Sequence, residues 1–363
     1  MEFLAKAKPF LAVSLMQFSY AVMSIIAKSA MNQGMSPHVL VAYRMAVASI
    51  LIAPFAIVLE RKTRPKMTFT IFAKIMLISL FEPVLDQNLF YTAMKYTTTN
   101  FTTAICNILP AVTFLLACIF RLENMDIKRV NCQAKVVGTV VAIGGATMMT
   151  LMKGKVIGLP WRADWRGNHH NQSVESGTDL KQNLLIGALL TLAGCFSWSF
   201  FIILQTVLLK SYPAQLSLTA MICVTGMVEA AVMAFAVEKG NMALWSLHSN
   251  CKLLAVIYGG VVSGTAFYIM GWVSKRRGPV FVSAFNPLNM VIVAILGSFF
   301  LAEKMYVGRI IGSVIIVIGM YIVLWGKSKD RLQSEPDRVF APIDQPIAAS
   351  ATVTMIVARD SGN

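Results

Sequence analysis

The chain has 363 residues, 56% hydrophobic and 13% charged, with 32 Lys and Arg against 17 Asp and Glu for a net charge of +15. So few charges, about half the share in an ordinary globular domain, together with a mean hydropathy of +0.66, exclude a disordered chain, a secreted disulfide scaffold and an ordinary cytosolic enzyme. The solvent of this chain is largely lipid, and its basic residues sit in short runs between apolar stretches, a pattern of membrane topology rather than of a nucleic-acid-binding face.

Ten apolar runs are long enough to cross a hydrocarbon core of ~30 Å as helix: residues 10–31, 38–59, 70–93, 101–120, 132–152, 184–208, 215–237, 252–273, 279–301 and 307–326. The expected fold is therefore an all-α polytopic membrane protein with ten transmembrane helices. The first run follows Lys6 and Lys8, but it is too long for a signal peptide and ends in no small-residue cleavage site, so it reads as an uncleaved span. It carries Gln17, Tyr20, Ser24 and Lys28 on one stripe. Gln17 and Tyr20 are cavity candidates. Lys28 is a candidate for a substrate carboxylate or for an ion pair with Asp86, although its place near the span end favours snorkelling or a structural pair.

The third run places Glu82 near its middle, with Asp86 one helical turn on and Gln87 beside it. Intramembrane carboxyls are costly in lipid and should face a cavity or a partner. Glu82 reads equally as an ammonium or proton site and as a structural group around Pro83; Asp86, nearer the end, is a coupling or ion-pair candidate. In the fourth run Asn107 precedes Pro110, and in the ninth Asn286 and Asn289 flank Pro287. A proline inside a helix frees a carbonyl one turn back. That carbonyl and a neighbouring amide make a dipolar patch suited to a zwitterion, although a simple packing kink is the plain alternative. Between the halves, the 153–183 loop holds the sequon Asn171-Gln172-Ser173, so Asn171 is a glycosylation candidate if the loop is extracytosolic. Asn100 begins a second sequon that abuts a span. The sixth run carries Trp198 and Gln205 on one face, and the seventh a further carboxyl, Glu229, for which a structural role is favoured. From residue 327 the chain reads as a cytosolic tail, disordered and rich in proline beyond Pro336. The six cysteines are scattered and read as small buried hydrophobes.

Basic residues set the orientation. Lys6, Lys8, Arg61, Lys62, Arg64, Lys66, Lys275, Arg276, Arg277 and Lys327 fall on one side, which the positive-inside rule makes cytosolic, together with both termini.

The halves repeat at an offset of 177–178 residues: Phe18-Ser19-Tyr20 matches Phe196-Ser197-Trp198, Phe90-Tyr91 matches Phe267-Tyr268, and Pro110 matches Pro287. After small indels, Gly138 and Gly145 match Gly312 and Gly319. Each half holds five spans, so the second must enter the membrane in the opposite sense. Two inverted five-helix repeats, 1–152 and 184–326, are the architecture of many secondary transporters, with the site near the midplane between repeats.

The stretches Gly278-Pro279-Val280-Phe281, Phe285-Asn286-Pro287-Leu288, Gly297-Ser298-Phe299-Phe300-Leu301-Ala302-Glu303 and Leu324-Trp325-Gly326-Lys327, with Asp86-Gln87-Asn88-Leu89-Phe90-Tyr91, Asn107-Ile108-Leu109-Pro110-Ala111 and Phe120-Arg121-Leu122-Glu123, resemble the plant UMAMIT family (usually multiple acids move in and out transporters). The family is also called walls-are-thin-related or nodulin-like, and lies in the drug/metabolite transporter superfamily with two EamA-type repeats. The resemblance spans roughly residues 8 to 327. It implies a carrier of amino acids at the plasma membrane, or, for a minority type, of the auxin indole-acetic acid at the vacuolar membrane.

No catalytic constellation is present: no HExxH, no metal-spaced Cys/His set and no phosphate-binding glycine loop. The expectation is therefore a transporter rather than an enzyme, with no cofactor or metal, a small-molecule substrate, membrane lipid around it and no nucleic-acid partner. A non-transporting receptor or scaffold is the reading from another class. A carrier of phosphorylated sugars would want deep Lys or Arg, and the basic residues weighed lie near span ends.

Overall fold

A computed structural model describes residues 2–62, 64–97, 99–122, 130–151, 177–300 and 307–339, and every regular element among them is helical. Helix α1 (Glu2–Asn32) turns through Gly34, whose φ of +82° suits a residue without Cβ, into α2 (Pro37–Leu59). Ser36 caps α2 by accepting from the His38 N–H at 3.2 Å, with Pro37 in the first turn.

The third apolar run is not one helix. It forms α3 (Phe69–Ser79), a π-helical segment Leu80–Leu85 and α4 (Asp86–Tyr96). Glu82, at φ −144° and ψ 120°, leaves helical geometry entirely. The cause is Pro83, which lacks an N–H and pushes the preceding residue out of the α region. The fourth run divides similarly into α5 (Thr99–Ile105), a 3-10 turn Cys106–Ile108 and α6 (Leu109–Ile119) with Pro110 in its first turn. Then follow α7 (Val130–Leu151), α8 (Gly177–Ser211), α9 (Gln215–Val237) and α10 (Asn250–Arg277). The ninth run breaks before Asn286-Pro287 into α11 (Pro279–Ser283) and α12 (Asn286–Phe300). Helix α13 (Val307–Val339) ends the described chain.

Among the described residues, seven helical stretches are long and apolar enough to cross a membrane; the broken third run and α7 are not among them, and α13 offers the shorter apolar stretch Ile310–Gly326. Helix α13 also continues past residue 326, where the sequence reading began a disordered tail. Residues 327–335 contain no helix breaker, so the last turns simply propagate; residues 340–363 lie outside the described residues. Large apolar side chains such as Ile50, Val58, Val140, Val232 and Tyr321 point outward, as they must on a multi-pass protein whose surroundings are hydrocarbon.

Helix packing is paired. Helix α7 lies along α13 and α2 along α9; α4 and α6 pack on α8, while α10 and α12 pack on α1; α2 meets α10, and α9 meets α3. The α7–α13 seam is backbone on backbone: a Cβ on Gly138 would stand 2.7 Å from the Gly319 carbonyl oxygen, and one on Gly145 2.9 Å from that of Gly312. Later residues of α7 thus meet earlier residues of α13, so the pair is antiparallel. The α2–α9 pair is tied at both ends by carboxylates that follow each helix. Glu60 accepts from the Leu216 and Ser217 N–H groups at 3.0 and 2.6 Å, and Glu238 accepts from the Ser36 hydroxyl. Phe201, Phe267 and Phe281, with Trp198, fill the core between α8, α10 and α11.

Candidate functional site

Because Glu82 is extended, helix α4 restarts beside it with a new register. Its first residues, Asp86 and Gln87, and later Tyr91 face the bundle interior. There Gln87 and Tyr91 meet Arg44 of α2, a residue that is 0% exposed. Arg44 Nη1 donates to Gln87 Oε1 at 2.9 Å and to the Tyr91 hydroxyl at 2.6 Å, and Nη2 donates to Ser263 Oγ of α10 at 2.6 Å. Gln87 Nε2 passes the chain on to Glu82 Oε1 at 2.5 Å. The amide thus bridges a buried cation and a buried carboxylate, which offset one another in a medium where neither could stand alone. Room for Arg44 comes from Gly259: a Cβ there would lie 2.7 Å from Arg44 Cδ.

Next to this network is a small cavity of about 80 Å³ between α1, α4, the Cys106 turn, α8 and α12. Tyr20, Ser24, Asp86, Gln87, Tyr91, Trp198, Asn286 and Asn289 are among its walls, with Phe90 and Cys195. Asp86 brings the one formal charge among these described lining residues; its backbone N–H donates to the Phe81 carbonyl, and its carboxylate makes no hydrogen bond among the described residues. The Tyr20 hydroxyl and Asn289 Oδ1 are also buried without a hydrogen-bond partner among the described residues. Unspent hydrogen-bonding capacity in a buried polar space is what a ligand or water would satisfy. Asn286 Nδ2 donates to the Cys106 carbonyl at 2.9 Å. That is the carbonyl four residues before Pro110, to which the proline offers no α-helical N–H; it accepts from the Leu109 N–H of the 3-10 turn as well as from Asn286, so α6 and α12 are joined at their breaks.

The structure thus gathers Tyr20, Gln87, Trp198, Asn286 and Asn289 around one space, together with Asp86. It does not bring Lys28 to Asp86. Lys28 Nζ instead donates to the carbonyl of Met94, with that of Thr97 at 3.5 Å, at the end of α4. Glu82 stands behind Gln87, outside the cavity wall. The expected shared face of Glu82 and Asp86 assumed a continuous helix, and the break at Pro83 removes it. Gln17 is buried near α1's inner face with both amide atoms unpartnered among the described residues, and is not in the wall. Asn107 donates to the Thr103 carbonyl at 3.3 Å and to Met290 Sδ at 2.8 Å. Gln205 faces α10, donating to the Phe267 carbonyl at 3.2 Å, away from the cavity. Glu229 lies three residues beyond Gly226, which sits against Pro83. Asn171 lies outside the described residues.

Arg44 escaped the sequence reading. Its signal was present: a lone arginine about two turns into the 38–59 apolar run, a placement that lipid does not tolerate without partners. It is deep, but its guanidinium is engaged by three side chains and is absent from the cavity wall.

The chain matches the EamA-like transporter family twice, over residues 8–151 and 185–325. It is 58% identical over 327 residues to WAT1-related protein At5g13670 of Arabidopsis thaliana, covering 90% of this chain and 86% of that protein. WAT1-related protein At2g39510 of the same plant is 54% identical over 344 residues, covering 94% and 90%. A solved crystal structure with 14% sequence identity superposes with a TM-score of 0.57 over 87% of this chain and 98% of the other, a likeness of fold.

Proposed function

This chain belongs to the EamA-like transporter family, among its plant WAT1-related members, and on that premise we propose that it carries amino acids across the plasma membrane by alternating access. The observation that carries the reading is the cavity at the broken helices. Asp86 offers a carboxylate for the substrate ammonium, with the Tyr91 and Trp198 side chains beside it. Gln87, Asn286, Asn289 and Tyr20 offer amide and hydroxyl groups that bind a carboxylate at any pH. Arg44 and Glu82 hold Gln87 in place from behind the wall, which leaves Asp86 as the charged side chain facing the cavity. An organic anion such as auxin would meet that negative charge with no cation in the wall, which favours amino acids over the organic-acid reading.

At about 80 Å³ the cavity is well below the ~300 Å³ at which small-molecule sites begin, so this conformation is closed around its centre and must open to load. Packing supports how. Exchanging the helices of the two halves maps the pairs onto themselves: α7–α13 and α2–α9 are kept, α4–α8 becomes α10–α1, α6–α8 becomes α12–α1, and α2–α10 becomes α9–α3. The partners in the glycine seam, Gly138 with Gly319 and Gly145 with Gly312, exchange with one another in the same way. Glu60 and Glu238, at an offset of 178 residues, exchange too. A two-fold axis relating antiparallel neighbours lies across them, hence in the membrane plane. This supports ten spans as two inverted repeats, 1–152 and 184–326, whose exchange of conformations opens the cavity to either side. In this reading the 153–183 loop is extracytosolic, with Asn171 available for a glycan, and both termini are cytosolic.

Efflux of labelled compounds from cells expressing the protein at the plasma membrane tests the proposal, with a panel of amino acids, simple amines and indole-3-acetate, with and without a pH gradient. Amino acids should leave faster than from cells lacking the protein, and indole-3-acetate should not. Selective efflux of the organic anion would overturn the substrate assignment, and no efflux of any compound from cells with the protein at the surface would overturn the transport reading.

A further inference from the structure

A second space, about 650 Å³, lies away from the central cavity between the end of α2, the 60–68 connection, α3 and the start of α9. It is within the ordinary size range of ligand sites, ~300–1,000 Å³. Its inner wall is apolar, with Ala56, Ala220 and Val224 among it, and Arg61, Arg64 and Lys66 stand at its mouth. The neighbouring acid, Glu60, accepts from the first N–H groups of α9, and the three basic residues outnumber it. Ser217 is 5% exposed, lines the space, and its hydroxyl has no hydrogen-bond partner among the described residues.

We propose that this is a binding site for an anionic glycerophospholipid. The phosphate sits on Arg61, Arg64 and Lys66, the Ser217 hydroxyl donates to an ester carbonyl, and an acyl chain lies against Ala56, Ala220 and Val224. Charge complementarity selects the headgroup, because a basic pocket between transmembrane helices at a membrane face is the recognised seat of anionic lipid. The apolar wall selects a lipid over a soluble phosphate, which would leave that wall wet. Thr225, at the inner end of the space, precedes Gly226, whose Cα side is closed against Pro83. A bound lipid thus touches the helix turn that supports the break in the third run.

The test is native mass spectrometry of the purified protein offered phosphatidic acid and phosphatidylcholine in competition. The wild type should retain phosphatidic acid preferentially, and inorganic phosphate should not displace it. Neutralising Arg61, Arg64 and Lys66 to Gln should lower that preference by about fivefold per residue. Ala220→Trp, which fills the space and leaves the basic mouth, should lose the bound lipid as well. Equal retention of both lipids by the wild type overturns the proposal with no variant needed. Displacement by inorganic phosphate overturns it in favour of a soluble-anion site. A preference unchanged in both folded variants overturns it by placing the lipid elsewhere.

Discussion

Arg44 reaches side chains on two other helices, Gln87 and Tyr91 of α4 and Ser263 of α10, and through Gln87 it answers the charge of Glu82. Taking one member from such a buried set strands the rest. Arg44→Ala should cost about 3–5 kcal/mol and appear as a large drop in thermal unfolding temperature in detergent. Arg44→Met combined with Glu82→Leu removes both charges and should recover much of the loss. A double variant no more stable than Arg44→Ala would show that Glu82 does not depend on Arg44. At this scale the sequence was legible where a residue's meaning is local. Tyr20, Gln87, Trp198, Asn286 and Asn289 stood out as polar or aromatic groups in apolar runs, and they share a cavity. Glu82 and Asp86 were misplaced relative to one another, because the helical period used to align them does not survive Pro83. Gln205 shares a face of α8 with Trp198, but about two turns further along that face it meets the Phe267 carbonyl of α10 rather than the cavity.

Among the elements, α7 and α13 touch through glycine, so the seam has no slack. A Cβ on Gly319 would stand 2.6 Å from the Ala142 backbone nitrogen. Gly319→Val should therefore force the helices apart at about 1–3 kcal/mol. Gly144→Ala, where nothing lies within 4 Å, should hold stability or raise it slightly. Equal losses at the two positions, read by thermal unfolding, would contradict the seam. At the α2–α9 pair, Glu60→Ala removes the acceptor of two N–H groups at the start of α9 and should cost about 0.5–2 kcal/mol; no change in unfolding temperature would mean that water replaces the carboxylate at no cost. Helix existence was readable from apolar runs and proline positions. Helix continuity was not, since a run's mean hydropathy does not register one residue leaving the α region.

On the scale of the whole molecule, the repeat was legible in matched aromatics, prolines and glycines, and the family matches in two stretches. The proposed inversion needs an odd number of spans per half, and the antiparallel glycine seam supports it. Orientation rests on the basic residues alone. Ser173→Cys in the central loop should react with an impermeant thiol reagent added outside intact cells, and Ser350→Cys in the tail only after permeabilisation; the reverse pattern would invert the protein. The central claim is that the cavity beside Asp86 takes up an amino acid through its ammonium group. Counterflow in proteoliposomes tests it most directly, with one labelled amino acid identified as substrate and the wild type compared with Asp86→Asn at equal incorporation. Loss of one charge-assisted hydrogen bond, about 1.5–3 kcal/mol, should raise the half-saturating concentration by roughly one to two orders of magnitude. An Asp86→Asn protein with the wild-type half-saturation would contradict the account.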